Sequence, residues 1–116
     1  ITLTYGGSTR VMPNYNVMGV AKAALEASMR YLAADYGPRG IRVNAVCPGV
    51  IETPMTAPLV ANPDMKKMID SMTPMGRMGT PDEVARIVTF LASPASSLIT
   101  GANVVADNGF TKGVRY

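Results

Sequence analysis

The sequence contains no histidine and no tryptophan, and Cys47 is its single cysteine. Without histidine there is no imidazole acid or base, no Ser-His-Asp triad and no zinc site built on imidazole. Tyrosine, lysine and the carboxylates are left as proton carriers, and no metal site is expected. One cysteine excludes an internal disulfide and gives no sign of a secreted, cross-linked scaffold. No apolar run approaches the roughly 20 residues that span a bilayer, and the first residues lack the pattern of a signal peptide. No membrane partner is expected, and a soluble, reducing compartment such as the cytoplasm is. Charge of one sign is also scarce: 11 basic and 8 acidic residues are scattered, and Lys66-Lys67 is the single adjacent basic pair. With no basic stripe and no interleaved aromatics, nucleic acid is not an expected partner. Finally, no G-x-G-x-x-G occurs anywhere, and Gly6-Gly7 is too short to serve as a dinucleotide-binding turn.

What is present has the balance of a globular protein. Apolar residues make up 47% and charged residues 16% of 116, enough for one small domain with its own core and too few for two. Ile1 to Tyr5 is rich in β-branched and large residues and ends at Gly6-Gly7, as a strand leaving a sheet would. Asn14 is placed to cap a helix. Apolar residues then recur at helical spacing from Val17 to about Asp35, where Tyr36-Gly37-Pro38 is a stop signal. A stripe along Val20, Ala24, Ala27, Tyr31 and Ala34, broadened by Ala21, Leu25, Met29 and Leu32, predicts a helix buried on two sides. Glu26, Ser28 and Arg30 are its polar members.

Gly40 to Val46 reads as a second strand, with Pro48-Gly49 beyond it. Met55 to Met78 holds three prolines and six of the nine methionines around an amphipathic piece from Asp64 to Met72. Such methionines either face an adaptable apolar ligand as a lid or pack a core, and the pattern leaves both readings open. Thr80-Pro81-Asp82-Glu83 is a compact helix start. Val84, Ile87, Val88 and Leu91 give that helix an apolar face, and Ser93-Pro94 ends it. Gly101 to Asp107 is a last strand closed by Asn108-Gly109. Strands alternating with helices predict an α/β fold with a doubly wound parallel sheet.

Within this frame Tyr15 and Lys22 stand seven residues apart, almost two helical turns, with about 10.5 Å of rise between them. They would project from nearly the same face and could address two parts of one extended ligand. The plain alternative is a tyrosine that staples a helix start and a solvated lysine. Tyr5 falls at the carboxyl edge of the first strand, where open parallel sheets bind ligands. Its plain alternative is a half-buried strand tyrosine.

Tyr5, Tyr15 and Lys22 have the spacing found in enoyl-acyl-carrier-protein reductases, and Pro13 to Lys22 resembles their sequence closely. Asn44 to Gly49 and Ile99 to Gly109 resemble landmarks of the wider short-chain dehydrogenase/reductase family. The commoner members carry Tyr-x-x-x-Lys with an upstream Ser, where this chain has Met18 and Tyr5. The resemblance implies a C-terminal half of a Rossmann-type domain, residues 1–116, whose other half would carry the glycine turn and most of the adenosine site. It implies reduction of the C=C bond of an enoyl thioester carried on acyl carrier protein or coenzyme A, with NADH or NADPH as cofactor. Tyr15 and Lys22 would be catalytic, with Lys22 also on the cofactor ribose. Tyr5 would meet substrate, and Gly49, Ile51 and Thr53 the nicotinamide end. The long helix packs between subunits in relatives, which implies a homo-oligomer. Two other readings stand beside this one. A ketone or alcohol oxidoreductase, of the β-ketoacyl or hydroxysteroid type, is favoured by Pro48-Gly49 and Thr53-Pro54. A catalytically silent fragment or assembly module is favoured by the missing glycine turn.

Overall fold

The computed structural model describes residues 1–112. Three parallel strands form one sheet in the order β1 (Thr2–Leu3), β2 (Ala45–Pro48), β3 (Asn103–Ala106). Parallel neighbours need long connections. Between β1 and β2 lies α1 (Asn16–Tyr36), and between β2 and β3 lie α2 (Ala57–Val60), α3 (Pro63–Ser71) and α4 (Pro81–Ala92). β2 is the centre, with Ala45 and Val46 at 0% exposure. The core is completed by Met29 and Ala33 of α1, Cys47, Ile69, Met78 and Leu91.

The strands are shorter than the apolar runs, for local reasons. β1 keeps only Thr2 and Leu3 of the expected Ile1–Tyr5, because Gly6–Ser8 turns at once into a 3₁₀ turn. The second strand is not Gly40–Val46 but is displaced towards Pro48. Its expected first half is held by side chains. Arg42 donates to the carbonyls of Leu91, Ser93 and Ile99. Asn44 bonds Ile99 O and Ala102 N, and Val43 N–H donates to Thr100 Oγ1. Those polar bonds occupy the backbone's neighbours before the ladder starts.

α1 departs from expectation in two ways. Asn14 does not cap it: Asn14 is left-handed (φ 65°), and Tyr15 takes the cap position with no side-chain bond to the helix. The expected stripe is also not the buried one. Val20 is 71% and Tyr31 74% exposed, while Gly19, Glu26, Met29 and Ala33 are buried. Among the described residues, then, the helix is covered on one side. The buried face is chosen by a close approach at Gly19, where a Cβ would stand 2.7 Å from Gly7 O, and by hydrogen bonds to Glu26. Apolar periodicity carries neither signal.

Asn62 caps α3, its Oδ1 accepting from Asp64 N–H and Met65 N–H. The capping box expected at α4 is present, with Thr80 Oγ1 accepting from Glu83 N–H and Glu83 accepting from Thr80 N–H. Of the methionines from Met55 to Met78, Met78 is buried. Met55, Met65, Met68 and Met75 are exposed, so the core-packing reading does not describe those four.

Candidate functional site

The carboxyl ends of β1 and β2 open on a largely apolar cavity of about 210 Å³. Tyr5, Pro48, Gly49 and Phe110 are among its walls, with Cys47 and Asp107 deeper in. The chain enters from β1, and Tyr5 stands where the strand breaks. Its ring lies across the backbone of Gly7, where a Cβ would come 2.2 Å from Tyr5 Cε1. A glycine is required there by the close approach of a ring. Gly49 is required for a like reason, since a Cβ on it would stand 2.8 Å from Asp107 Cα.

Tyr15 enters from the head of α1. Its ring centroid is 6.2 Å from that of Tyr5, with the planes inclined at 49°, within the range of a favourable tilted aromatic pair. Tyr15 is 57% exposed, on the side of Tyr5 that faces a groove between Gly7–Met12 and the first turns of α1. Two turns further along, Lys22 is half-buried, and its Nζ donates to Leu3 O at 3.0 Å. An ammonium has three protons to donate, so this bond fixes the amine at the end of β1 and leaves two for a ligand.

The electrostatics follow from the surroundings. Burial, then the neighbouring Tyr15, push the Tyr5 phenol above its ordinary pKa, which keeps it protonated and able to donate. Burial, then Glu26 and Asp107, push the Cys47 thiol up as well, and a thiol so placed is inert. Asp107 is raised by burial, but bonds from Thr111 and the Gly109 N–H outweigh this and hold it below the usual carboxylate range. It is a hinge-pin for the closing turn.

The sequence-predicted residues do not all meet. Tyr5, Tyr15 and Lys22 cluster around the end of β1, and Gly49 shares the cavity with Tyr5. The side chain of Ile51 packs against Gly79 and lines a separate cleft beside Met75, Glu83 and Val105. Thr53 is engaged in its own turn: its carbonyl accepts from Thr56 N–H and Ala57 N–H, and its hydroxyl lies 3.4 Å from that of Thr56. Sequence reasoning passed over Glu26, Thr4 and Ser8, which form a buried cluster behind Tyr5. No local signal marks this cluster, because Thr4 and Ser8 lie 22 and 18 residues from Glu26.

Among the described residues no cluster of potential metal ligands is formed, and no helix is long and apolar enough to cross a membrane. The family model described as enoyl-(acyl carrier protein) reductase matches residues 1–111. An enoyl-[acyl-carrier-protein] reductase [NADH] of Rhizobium meliloti is 52% identical over 110 residues, covering 95% of this chain and 41% of that protein. A second such NADH reductase, from Synechocystis, is 46% identical over 110 residues, covering 95% and 43%. Among solved structures, a 4-hydroxyisoleucine dehydrogenase complexed with NADH superposes with a TM-score of 0.92 at 30% identity, covering 98% of this chain and 47% of that one. The chain thus spans about two fifths of the length of the curated relatives it matches. Its parallel sheet and helical crossovers are part of a Rossmann-like α/β fold. With a match over nearly its whole length, the chain belongs to the enoyl-(acyl carrier protein) reductase group of the short-chain dehydrogenase/reductase family.

Proposed function

We propose that this chain is the C-terminal part of a nicotinamide-dependent oxidoreductase that reduces the C=C bond of an enoyl thioester carried on acyl carrier protein or coenzyme A. The observation that carries the reading is the Tyr5–Tyr15 pair, two phenols on adjoining elements at 6.2 Å, above a lysine anchored to the end of β1. The cofactor is NADH or NADPH, and the relatives named for NADH favour the former. A longer parent chain is supported by the relatives, of which this chain covers about two fifths, and by the half-exposed Leu3 on β1, an edge strand among the described residues.

The cavity fits the flat end of a nicotinamide. Its walls are mainly apolar, it lies at the ligand edge of a parallel sheet, and bare backbone at Gly49 borders it. Gly49 would hold the nicotinamide end, and Lys22 the ribose hydroxyls through its two free protons, while Ile51 and Thr53 face away from this cavity. A reduced nicotinamide, when bound, supplies the hydride, which must reach the β-carbon of the substrate. The charge that develops then sits on the thioester oxygen as an enolate. The Tyr15 phenol donates a hydrogen bond or proton to that oxygen. Tyr5, protonated and fixed beside it, orients the thioester end. The apolar walls exclude water from the reacting bond, and the exposed methionines from Met55 to Met75 give the acyl chain an adaptable surface. The uncovered face of α1, with Val20 and Tyr31, supports assembly as a homo-oligomer.

The parent enzyme is expected to consume NADH or NADPH with crotonyl thioester and to turn over a β-ketoacyl thioester at least about 10²-fold more slowly. The reverse preference would transfer the reading to a ketone reductase, which the likeness to a solved dehydrogenase favours. Failure to act on either, with no cofactor bound, would favour the catalytically silent reading.

A further inference from the structure

The flank of α1 that carries Lys22 also carries Gly19 and Glu26, three and four residues away, so the three lie along one line. All three engage the segment from Leu3 to Ser8. Lys22 holds Leu3 O, and Gly19 packs directly on Gly7 O. Glu26 holds two points at once: Thr4 Oγ1 donates to its Oε1 at 2.5 Å and Ser8 Oγ donates to the same oxygen at 2.6 Å. Thr4 precedes Tyr5 and Ser8 follows it by three residues. Glu26 is therefore the one side chain among the described residues that ties both sides of Tyr5 to the helix bearing Tyr15.

Glu26 and Thr4 are 6% and 5% exposed. A carboxylate buried so far from water costs free energy that its partners must offset. Hydroxyls, unlike ammonium groups, supply direction rather than compensating charge. Both hydroxyls donate to the one carboxyl oxygen, which fixes their rotamers. The Ser8 end matters most to Tyr5, because the Tyr5 ring rests on Gly7 and Gly7 is held by the turn that Ser8 closes, with Ser8 N–H donating to Tyr5 O at 3.0 Å.

We propose that Glu26 is a positioning residue for the reaction: it acts through Thr4 and Ser8 to hold the Tyr5 phenol at its working distance from Tyr15. This rests on the reading of Tyr5 and Tyr15 as the groups that meet the substrate. A displacement of about 1 Å at such a group costs about 10²-fold in rate. A carboxylate that merely supported the fold would show its loss in stability and not in turnover.

The test uses the full-length enzyme with crotonyl thioester and NADH. Glu26→Ala is expected to lower kcat by about 10- to 100-fold, with the Kd for NADH within about twofold of the parent. Glu26→Gln, which keeps an oxygen able to accept both hydroxyls, is expected to recover kcat to within about threefold. In a Tyr5→Phe background Glu26→Ala should cost at most about twofold more, because the hydroxyl it positions is gone. Should Glu26→Ala fail to fold, Ser8→Ala removes half the clamp and is expected to lower kcat about 3- to 10-fold, again only when Tyr5 is present. An equal loss in both backgrounds, a loss confined to cofactor affinity, or failure of Glu26→Gln to recover turnover overturns the proposal. An inactive parent enzyme instead overturns the functional reading, and this proposal with it. An active parent whose kcat is indifferent to Glu26 overturns this proposal alone.

Discussion

Tyr15 and Lys22 share a helix flank, and because the roles proposed for them differ, substitution should separate them. Tyr15 is largely exposed and meets Tyr5 by its ring, whereas Lys22 is tied to the end of β1. In the full-length enzyme, Tyr15→Phe is expected to lower kcat by about 10²-fold or more while leaving the NADH Kd within about twofold. Lys22→Ala is expected to weaken both. Steady-state kinetics beside a fluorescence titration of NADH checks the pair, and equal losses of cofactor affinity would contradict the division. Gly19 gives a residue-scale prediction about stability. Its missing Cβ would meet a backbone oxygen at 2.7 Å, so Gly19→Ala must push the Gly6–Ser8 turn away from α1. A cost of about 1–3 kcal/mol in urea unfolding is expected, and a neutral result would show that the turn yields freely. The spacing of Tyr5, Tyr15 and Lys22 was legible in the sequence because helical repeat puts the last two on one flank. The buried role of Glu26 was not, since its partners Thr4 and Ser8 lie 22 and 18 residues away and nothing local marks them.

The start of α4 was the element limit best read from sequence, because its capping box is local chemistry, whereas the cap expected from Asn14 on α1 is not made. Thr80-Pro81-Asp82-Glu83 forms the expected box, and Arg77 adds a two-pronged contact to Glu83 at 2.7 and 3.0 Å. Thr80→Ala is expected to cost about 1 kcal/mol in thermal or urea unfolding. The bonds from Arg77, then those from Thr80, pull the Glu83 carboxyl from its ordinary 4.5 down to about 2. A depressed carboxyl stabilises the folded state fully above its unfolded pKa and loses that contribution as the pH falls through the folded one. Stability should therefore decline between about pH 4.5 and pH 2, and Glu83→Gln should flatten that limb of a pH-dependent unfolding curve. An unchanged slope would show that the exposed pair is screened out. Elements whose limits depend on distant partners were misjudged. β2 starts at Ala45 because, just before it, side chains from more than 45 residues away replace ladder partners: Val43 N–H donates to Thr100 Oγ1, and Ala102 N–H donates to Asn44 Oδ1. The buried flank of α1 was missed because a small residue and a hydrogen-bonded acid select it, while large apolar side chains such as Val20 and Tyr31 are left outside.

At the scale of the molecule, a three-stranded parallel sheet, open at both the β1 and β3 edges among the described residues, presents its carboxyl end to a cavity too small for a whole dinucleotide. The fold class could be read from the alternation of strands and helices alone, since parallel pairing demands crossovers of this length. The chemistry could not be read from composition, and rests on the family and on the geometry around Tyr5. In the proposed reaction this geometry serves hydride delivery to a β-carbon and protonation of an enolate. The most direct measurement is the position of deuterium after the full-length enzyme has reduced crotonyl thioester with nicotinamide cofactor deuterated at C4. A saturated thioester with the label on the β-carbon is expected, formed far more slowly by Tyr15→Phe. Label found only on a hydroxyl-bearing carbon, after reaction with a β-ketoacyl thioester, and none transferred to crotonyl thioester, would contradict it.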